Sequence, residues 1–292
     1  MKATAKRKRS KPEPGSSVSR RSVFRALGSA IGSLLFGAIC SLAFLYYHGN
    51  ASQALKASEG DADFGVLEQC RQFCEQYGLL PSGRLDDDAR AFLKAAKHQP
   101  LSDGLREVLA DESFVPAESQ AHPLLHKTAP EFSLRDDQRT LVTLSELRRE
   151  GPVLVVFYYG YYCSHCVAQL FGISDDMAHF RELGVQVVAI SADSPEETAE
   201  KLAEYGRFEF PVLSDPDNAV AGNYGTYFPA GGGADEQLQH GTFVVDRNGQ
   251  IVWANRGPAP FIDNKSLLYV LARLQGRTPQ SAGGKQELQP SR

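Results

Sequence analysis

The order of apolar and polar positions divides this chain into stretches that ask for different structures. From Ala26 to Tyr47 no residue is charged. About 20 apolar residues in a helix span a bilayer core, so residues 26–47 read as a transmembrane anchor or uncleaved signal. Between 55 and 112 the pattern is helical. Val66, Leu67, Cys70, Phe73, Cys74 and Tyr77 follow i, i+3, i+4, i+7 spacing, and Gly78 and Pro81 stop that helix. A second helix is expected over Asp86–Lys97, burying Ala89, Phe92, Leu93 and Ala96, and a short third around Leu101–Leu109. Residues 113–124 lack periodicity and carry Pro116 and Pro123, which marks a linker. The last stretch, 277–292, is polar and rich in Gly, Pro and Gln, a composition that cannot bury a core.

Residues 125–276 alternate between short apolar runs and helical patterns. Val153–Tyr159 is a run of β-branched and aromatic residues bounded by Gly-Pro and Gly160, which predicts a buried strand. Val185–Ile190 predicts a second. Ser194, Pro195 and Glu197 predict a capped helix running to Tyr205. Phe210–Leu213 is a short strand and Asp217–Tyr224 a short helix. Thr242–Val245, the turn Asp246-Arg247-Asn248-Gly249, and Gln250–Ala254 form a hairpin, and Ser266–Leu274 closes the domain as a helix. The order implies an α/β fold, a central mixed sheet flanked by helices.

Charge sharpens the N-terminal reading. Residues 1–25 hold nine Lys or Arg and one acid, although the whole chain has a formal net charge of -4. A basic tail before an apolar run orients the N-terminus toward the cytoplasm. In a bacterium this places the rest of the chain outside the cytoplasm, single-pass at the cell membrane, with the redox domain periplasmic. Ser19-Arg20-Arg21-Ser22-Val23-Phe24-Arg25 also resembles a twin-arginine export signal, and Ser52-Gln53-Ala54 is a passable cleavage site. Beyond the tail there is no basic patch, so nucleic acid is not expected as a partner.

The five cysteines are Cys40, the pair Cys70/Cys74, and the pair Cys163/Cys166. Cys40 reads as a small apolar residue of the membrane helix. Cys163-Ser164-His165-Cys166 stands where a strand gives way to a helix, so the first thiol lies near unpaired N–H groups at the positive end of a helix dipole. That arrangement suits thiol–disulfide exchange. Cys163 is expected to be exposed and nucleophilic, Cys166 to resolve, and His165 as an imidazolium to favour the thiolate. Cys70 and Cys74 lie one helical turn apart and are either core packing or a pair with an accessory redox or metal role.

The segments Ala129-Pro130-Glu131-Phe132, Val155-Val156-Phe157-Tyr158, Cys163-Ser164-His165-Cys166, Phe210-Pro211-Val212-Leu213-Ser214-Asp215 and Gly241-Thr242-Phe243-Val244-Val245-Asp246-Arg247-Asn248-Gly249 stand in the order seen in redoxins. Residues 125–276 resemble the alkyl hydroperoxide reductase/thiol-specific antioxidant, peroxiredoxin-like branch of the thioredoxin superfamily. The resemblance implies a thioredoxin-like fold and His240, Gly241 and Thr242 as the active-site loop. In that branch the peroxidatic cysteine follows a Thr or Ser by three positions and a Pro by seven. Counted back from Cys166, this chain has Cys163 and Tyr159, and His240 stands where the family places an Arg.

The first expectation is therefore a membrane-anchored extracytoplasmic thiol–disulfide oxidoreductase working on protein thiols or disulfides, with an electron donor in the membrane or outside the cytoplasm. A thiol peroxidase reducing hydroperoxides is the second. A copper-binding assembly module using Cys163, Cys166 and His240 is the third. For the enzyme readings no cofactor is expected beyond the Cys163–Cys166 disulfide, and no metal.

Overall fold

Val153–Phe157, five residues all buried, becomes the strand around which the domain is assembled. In the computed structural model, which describes residues 71–72, 74–80, 82–161, 163–231 and 236–277, it is β3 of a seven-stranded sheet. Numbered in chain order, the strands are β1 (Ser133–Asp136), β2 (Leu141–Thr143), β3, β4 (Gln186–Ser191), β5 (Val212–Ser214), β6 (Tyr227–Phe228), β7 (Gln237–Leu238), β8 (His240–Val245) and β9 (Ile251–Gly257). The large sheet runs β2-β1-β5-β4-β3-β8-β9, and β6 and β7 pair separately. β3 lies parallel to β4 and antiparallel to β8, with Phe157 opposite Ile190 on one side and Gly241 on the other. A mixed sheet buried on both faces explains why β3 and β8 read as continuous apolar runs.

The helices are α1 (Leu85–Ala95), α2 (Leu105–Leu109), α3 (Leu144–Glu150), α4 (Ser164–Asp175), α5 (Met177–Glu182), α6 (Pro195–Tyr205), α7 (Ala219–Asn223) and α8 (Asn264–Leu274). Residues 71–72 and 74–76 are helical as well. The expected capping box at α6 is present: Ser194 accepts from the Glu197 N–H while the Glu197 carboxylate accepts from the Ser194 N–H. Gly78, at φ 66°, turns the chain out of the 71–76 helix. Two apolar clusters fill the two sides of the sheet. One gathers Val155, Phe157, Tyr224 and Phe243, the other Leu154, Val156, α4 and α8.

The helical segment expected over 55–112 differs from a separate element followed by a free linker. Phe92, Leu93, Leu105, Val108 and Leu109 share one cluster with Cys163, Cys166, Leu170 and Leu271. α1 packs along α4, at a point where Gly172 brings the helix within reach: a Cβ there would meet His98 Nε2 at 3.2 Å. Polar contacts fasten the join. The Leu101 N–H donates to the buried Asp176 carboxylate at 2.7 Å, and Asn264 Nδ2 donates to the same carboxylate at 2.8 Å. Residues 113–124 are fastened too. The Ala117 N–H donates to Ser266 Oγ, Trp253 Nε1 donates to the Ala117 carbonyl, and the Gln120 N–H donates to the Ala254 carbonyl. The reason is α4 itself. Every residue from His165 to Ile173 is buried, and a helix buried all round needs a partner on its outer side as well as the sheet on its inner.

Among the described residues no helix is long and apolar enough to cross a membrane. The basic tail 1–25, the anchor 26–47, Cys40, Cys70 and the tail beyond Arg277 lie outside the described residues.

Candidate active site

β3 ends at Phe157, and six residues later Cys163 stands as the N-cap of α4. Cys163 and Cys166 are joined in a disulfide with their Cα atoms 5.3 Å apart, within the usual range for such a bond. Both are buried, Cys163 at 2% exposure and Cys166 at 0%. This corrects the expectation that Cys163 is open to solvent. α1 packs along α4, and Cys163 shares one apolar cluster with Phe92 and Leu93 of that helix.

His165 is likewise buried at 1% exposure, in the first turn of α4 rather than in a solvated loop. Its Nδ1 lies 3.1 Å from Cys163 Sγ, and its Nε2 lies 3.6 Å from Cys166 Sγ. Phe92 of α1 leans on the same ring, 5.7 Å between centroids. Burial pulls the imidazole down to about 4, so at neutral pH it carries no charge. The imidazolium expected to stabilise a Cys163 thiolate is therefore absent in this form; a neutral ring that exchanges hydrogen bonds with sulfur takes its place.

His240, Gly241 and Thr242, expected as a loop, are the first three residues of β8. The reason is pairing on both sides: Gly241 faces Phe157 on β3 and Arg256 on β9. Gly241 is required there, because a Cβ would collide with the Thr226 methyl and the Phe243 ring. Thr242 Oγ1 accepts from Gln169 Nε2 at 2.8 Å, tying α4 to the strand. His240 stacks on Tyr159 at 4.5 Å and approaches His165 at 5.9 Å, centroid to centroid. It is 1% exposed, and neither ring nitrogen finds a hydrogen-bond partner among the described residues. Burial, with His165 nearby, pushes it well below the ordinary imidazole range. Among the described residues the group with metal-ligand spacing is Cys163, His165 and Cys166. His240, the nitrogen ligand of the copper reading, is not part of it.

Cys74, singled out from the sequence as half of an accessory pair, reaches the site, and Asp193 enters it without having been singled out. Cys74, paired in the sequence with Cys70, is brought to the thiols: its Sγ lies 3.4 Å from His165 Nδ1. It is free and buried, and burial, with Asp88 adding to it, pushes its thiol up. Asp193, at the mouth of α6, holds the stretch before Cys163. Its carboxylate accepts from the Tyr161 N–H at 3.1 Å, from Ser191 Oγ at 2.8 Å and from the Tyr158 hydroxyl at 3.5 Å. The residue as a whole is half-buried, but the carboxylate is enclosed, and that burial pushes it up to about 6. One sequence signal pointed to the cover over the thiols: from Cys163 to Ser174 there is no charged residue.

A family model described as AhpC/TSA matches residues 125–254. Alkyl hydroperoxide reductase E of Mycobacterium tuberculosis is 36% identical over 150 residues, 50% of this chain and 95% of that protein. Peroxiredoxin Bcp of Escherichia coli is 32% identical over 125 residues, 42% of this chain and 79% of that protein. The crystal structure of peroxidoxin BcpB from Mycobacterium tuberculosis superposes with a TM-score of 0.46 at 27% identity, covering 53% of this chain and 98% of that one.

Proposed function

The chain belongs to the AhpC/TSA family and is an oxidoreductase, and from that premise we propose that it is a thiol peroxidase that reduces hydroperoxides through Cys163 and Cys166. The observation that supports this reading over exchange with folded proteins is the burial of both sulfurs under α1. A hydroperoxide is small enough to enter through side-chain motion, whereas a cysteine on a folded partner needs an open sulfur.

Cys166 occupies the register of the family's peroxidatic cysteine. Its thiolate attacks the terminal oxygen of the hydroperoxide, the O–O bond breaks, and the leaving alkoxide takes up the proton that the Cys166 thiol gave up, becoming the alcohol. The resulting Cys166 sulfenic acid is attacked by Cys163 one helical turn away, which forms the disulfide and releases water. An external dithiol then attacks Cys163 Sγ, the sulfur at the N-cap of α4, and returns the pair to two thiols.

The donors around the site set the speed. A peroxidatic site works by holding preorganised donors on the departing oxygen, and loss of one such donor typically costs about 10²–10³ in rate. Here the Thr position is Cys163 and the Arg position is His240, a neutral buried ring. Turnover slow by the standards of the family follows.

The same departure supports a second reading, thiol–disulfide exchange on protein cysteines, in which Cys163 is the attacked and attacking sulfur. Hydroperoxide consumption and insulin reduction by the purified chain separate the two. Cys166→Ser abolishes hydroperoxide consumption in the first reading, and in the second accumulates mixed disulfides through Cys163. Rapid insulin reduction with no hydroperoxide consumption would overturn the proposal. We also propose, from the basic tail and residues 26–47 alone, that the domain is held outside the cytoplasm by a membrane anchor.

A further inference from the structure

We propose that the dithiol form of this protein binds one zinc(II) ion through Cys74, Cys163, Cys166 and His165. The inference rests on the proposed cycling of the Cys163–Cys166 pair, because disulfide sulfurs carry no charge to offer a cation.

The distances carry the argument. Zinc bound tetrahedrally by thiolate and imidazole, with Zn–S near 2.3 Å and Zn–N near 2.0–2.1 Å, sets sulfur and nitrogen roughly 3.5 Å apart. Two sulfurs already stand near that distance from one nitrogen: Cys163 Sγ at 3.1 Å and Cys74 Sγ at 3.4 Å from His165 Nδ1. One donor atom from each of Cys163, His165 and Cys166 lies within 4.8 Å of the others. Opening the disulfide moves its two sulfurs apart, toward the spacing of two vertices of the same tetrahedron. Three soft thiolates and an imidazole are a donor set that selects zinc over hard cations.

The surroundings favour an ion as well. Cys74 and His165 are both buried, and a bound cation deprotonates a coordinating thiol outright. His240 in the wall of the cluster leaves both ring nitrogens without a protein partner among the described residues, though it is buried at 1% exposure. A buried polar group left unsatisfied calls for a ligand or its water.

The chemistry balances. Binding exchanges three thiol protons for one zinc ion. When a hydroperoxide arrives, the Cys163 and Cys166 thiolates supply two electrons to the O–O bond, and two protons complete the alcohol and water. The disulfide that forms withdraws two of the four ligands, and the ion leaves. Zinc and hydroperoxide therefore compete for the same thiolates.

The test uses the full chain in detergent with Cys40→Ser and Cys70→Ser, so that the three thiols of the cluster are the only ones. The chain is reduced anaerobically with a phosphine, its thiols are counted, and it is titrated with cobalt(II) and then zinc(II). Expected are tetrahedral thiolate–cobalt bands saturating at one ion per chain, displacement by zinc mole for mole, and no bands from the oxidised chain. Cys74→Ser and His165→Asn each weaken zinc binding by about tenfold or more, with far-UV circular dichroism confirming that the variants fold. Three titratable thiols with no cobalt bands overturn the zinc site and leave the peroxidase reading standing. A thiol pair that resists reduction overturns the peroxidase reading instead. Cobalt bands unchanged by Cys74→Ser, or a Cys74–Cys163 disulfide in peptide maps of hydroperoxide-treated protein, overturn the inference in favour of a redox relay through Cys74.

Discussion

Asp193→Asn should stabilise the protein at pH 8 and leave it nearly unchanged at pH 4. The Asp193 carboxylate is shifted from 3.8 to about 6, chiefly by burial. The folded chain thus holds this proton more tightly than the unfolded chain does. For an acid shifted in that direction, stability is highest below the unfolded value, falls as pH rises from about 4 through about 6, and is flat above. A shift of roughly two units, at 1.36 kcal/mol each, makes ionised Asp193 cost about 3 kcal/mol. Asparagine keeps an oxygen to accept from the Tyr161 N–H and Ser191 Oγ, and removes the charge. The chain's single tryptophan, Trp253, is buried at 3% exposure with its Nε1 donating to the Ala117 carbonyl at 3.1 Å. Its fluorescence therefore reports unfolding in urea. The expected result is a difference between variant and wild-type midpoints that is near zero at pH 4 and grows in the variant's favour up to pH 7, while the titrations of His165 and His240, common to both proteins, cancel in the difference. Parallel curves for the two proteins, or a variant less stable than wild type at pH 8, would refute the account of Asp193 as a buried carboxylate tolerated for its hydrogen bonds.

Phe92→Ala empties a site at 2% exposure against His165 and Tyr77. It should cost about 3–5 kcal/mol and speed reduction of the Cys163–Cys166 bond by dithiothreitol; unchanged reduction kinetics would show that α1 does not restrict access. Ser194→Ala removes one arm of the α6 capping box and should lower stability by about 1 kcal/mol, measured by urea denaturation, with no effect on reduction kinetics. A reporter fused after Gly276 should be active only outside the cytoplasm if residues 26–47 anchor the chain, and activity confined to the cytoplasm would count against that placement.

Elements whose identity depends on near neighbours were legible in the sequence. β3, the capped α6, the β8–β9 hairpin and the Cys-x-x-Cys turn each arise from residues close together in the chain, so spacing alone announces them. The arrangement over the thiols was not legible. Cys74 and His165 are 91 positions apart, and no periodicity within either helix records which face meets which. Asp193 was missed for the same reason: it acts on Tyr161 from the turn after β4, 32 positions along the chain. The His165 charge was misread because burial decides it, and burial came from Phe92, a residue the pattern assigned only to its own helix. His240 was placed in a loop by analogy, while its pairing partners on β3 and β9 make it strand.

The matched family region begins at Leu125, yet α1 and α2 lie ahead of it and their apolar faces close over α4. Chemistry and admission are thus written on different stretches of the gene. Changes between 85 and 109 can retune which molecules arrive at the sulfurs, and how fast, while leaving the reacting turn as it is. The separation also has a practical side. A chain begun at Leu125 would carry every element of the matched family region and still expose the outer face of α4, with His165, Phe171 and Gly172, which Phe92, Arg90 and His98 reach in the full chain, opened to water or to another copy of itself. Such a fragment would be expected to associate, and its sulfurs to meet reagents that the full chain keeps out.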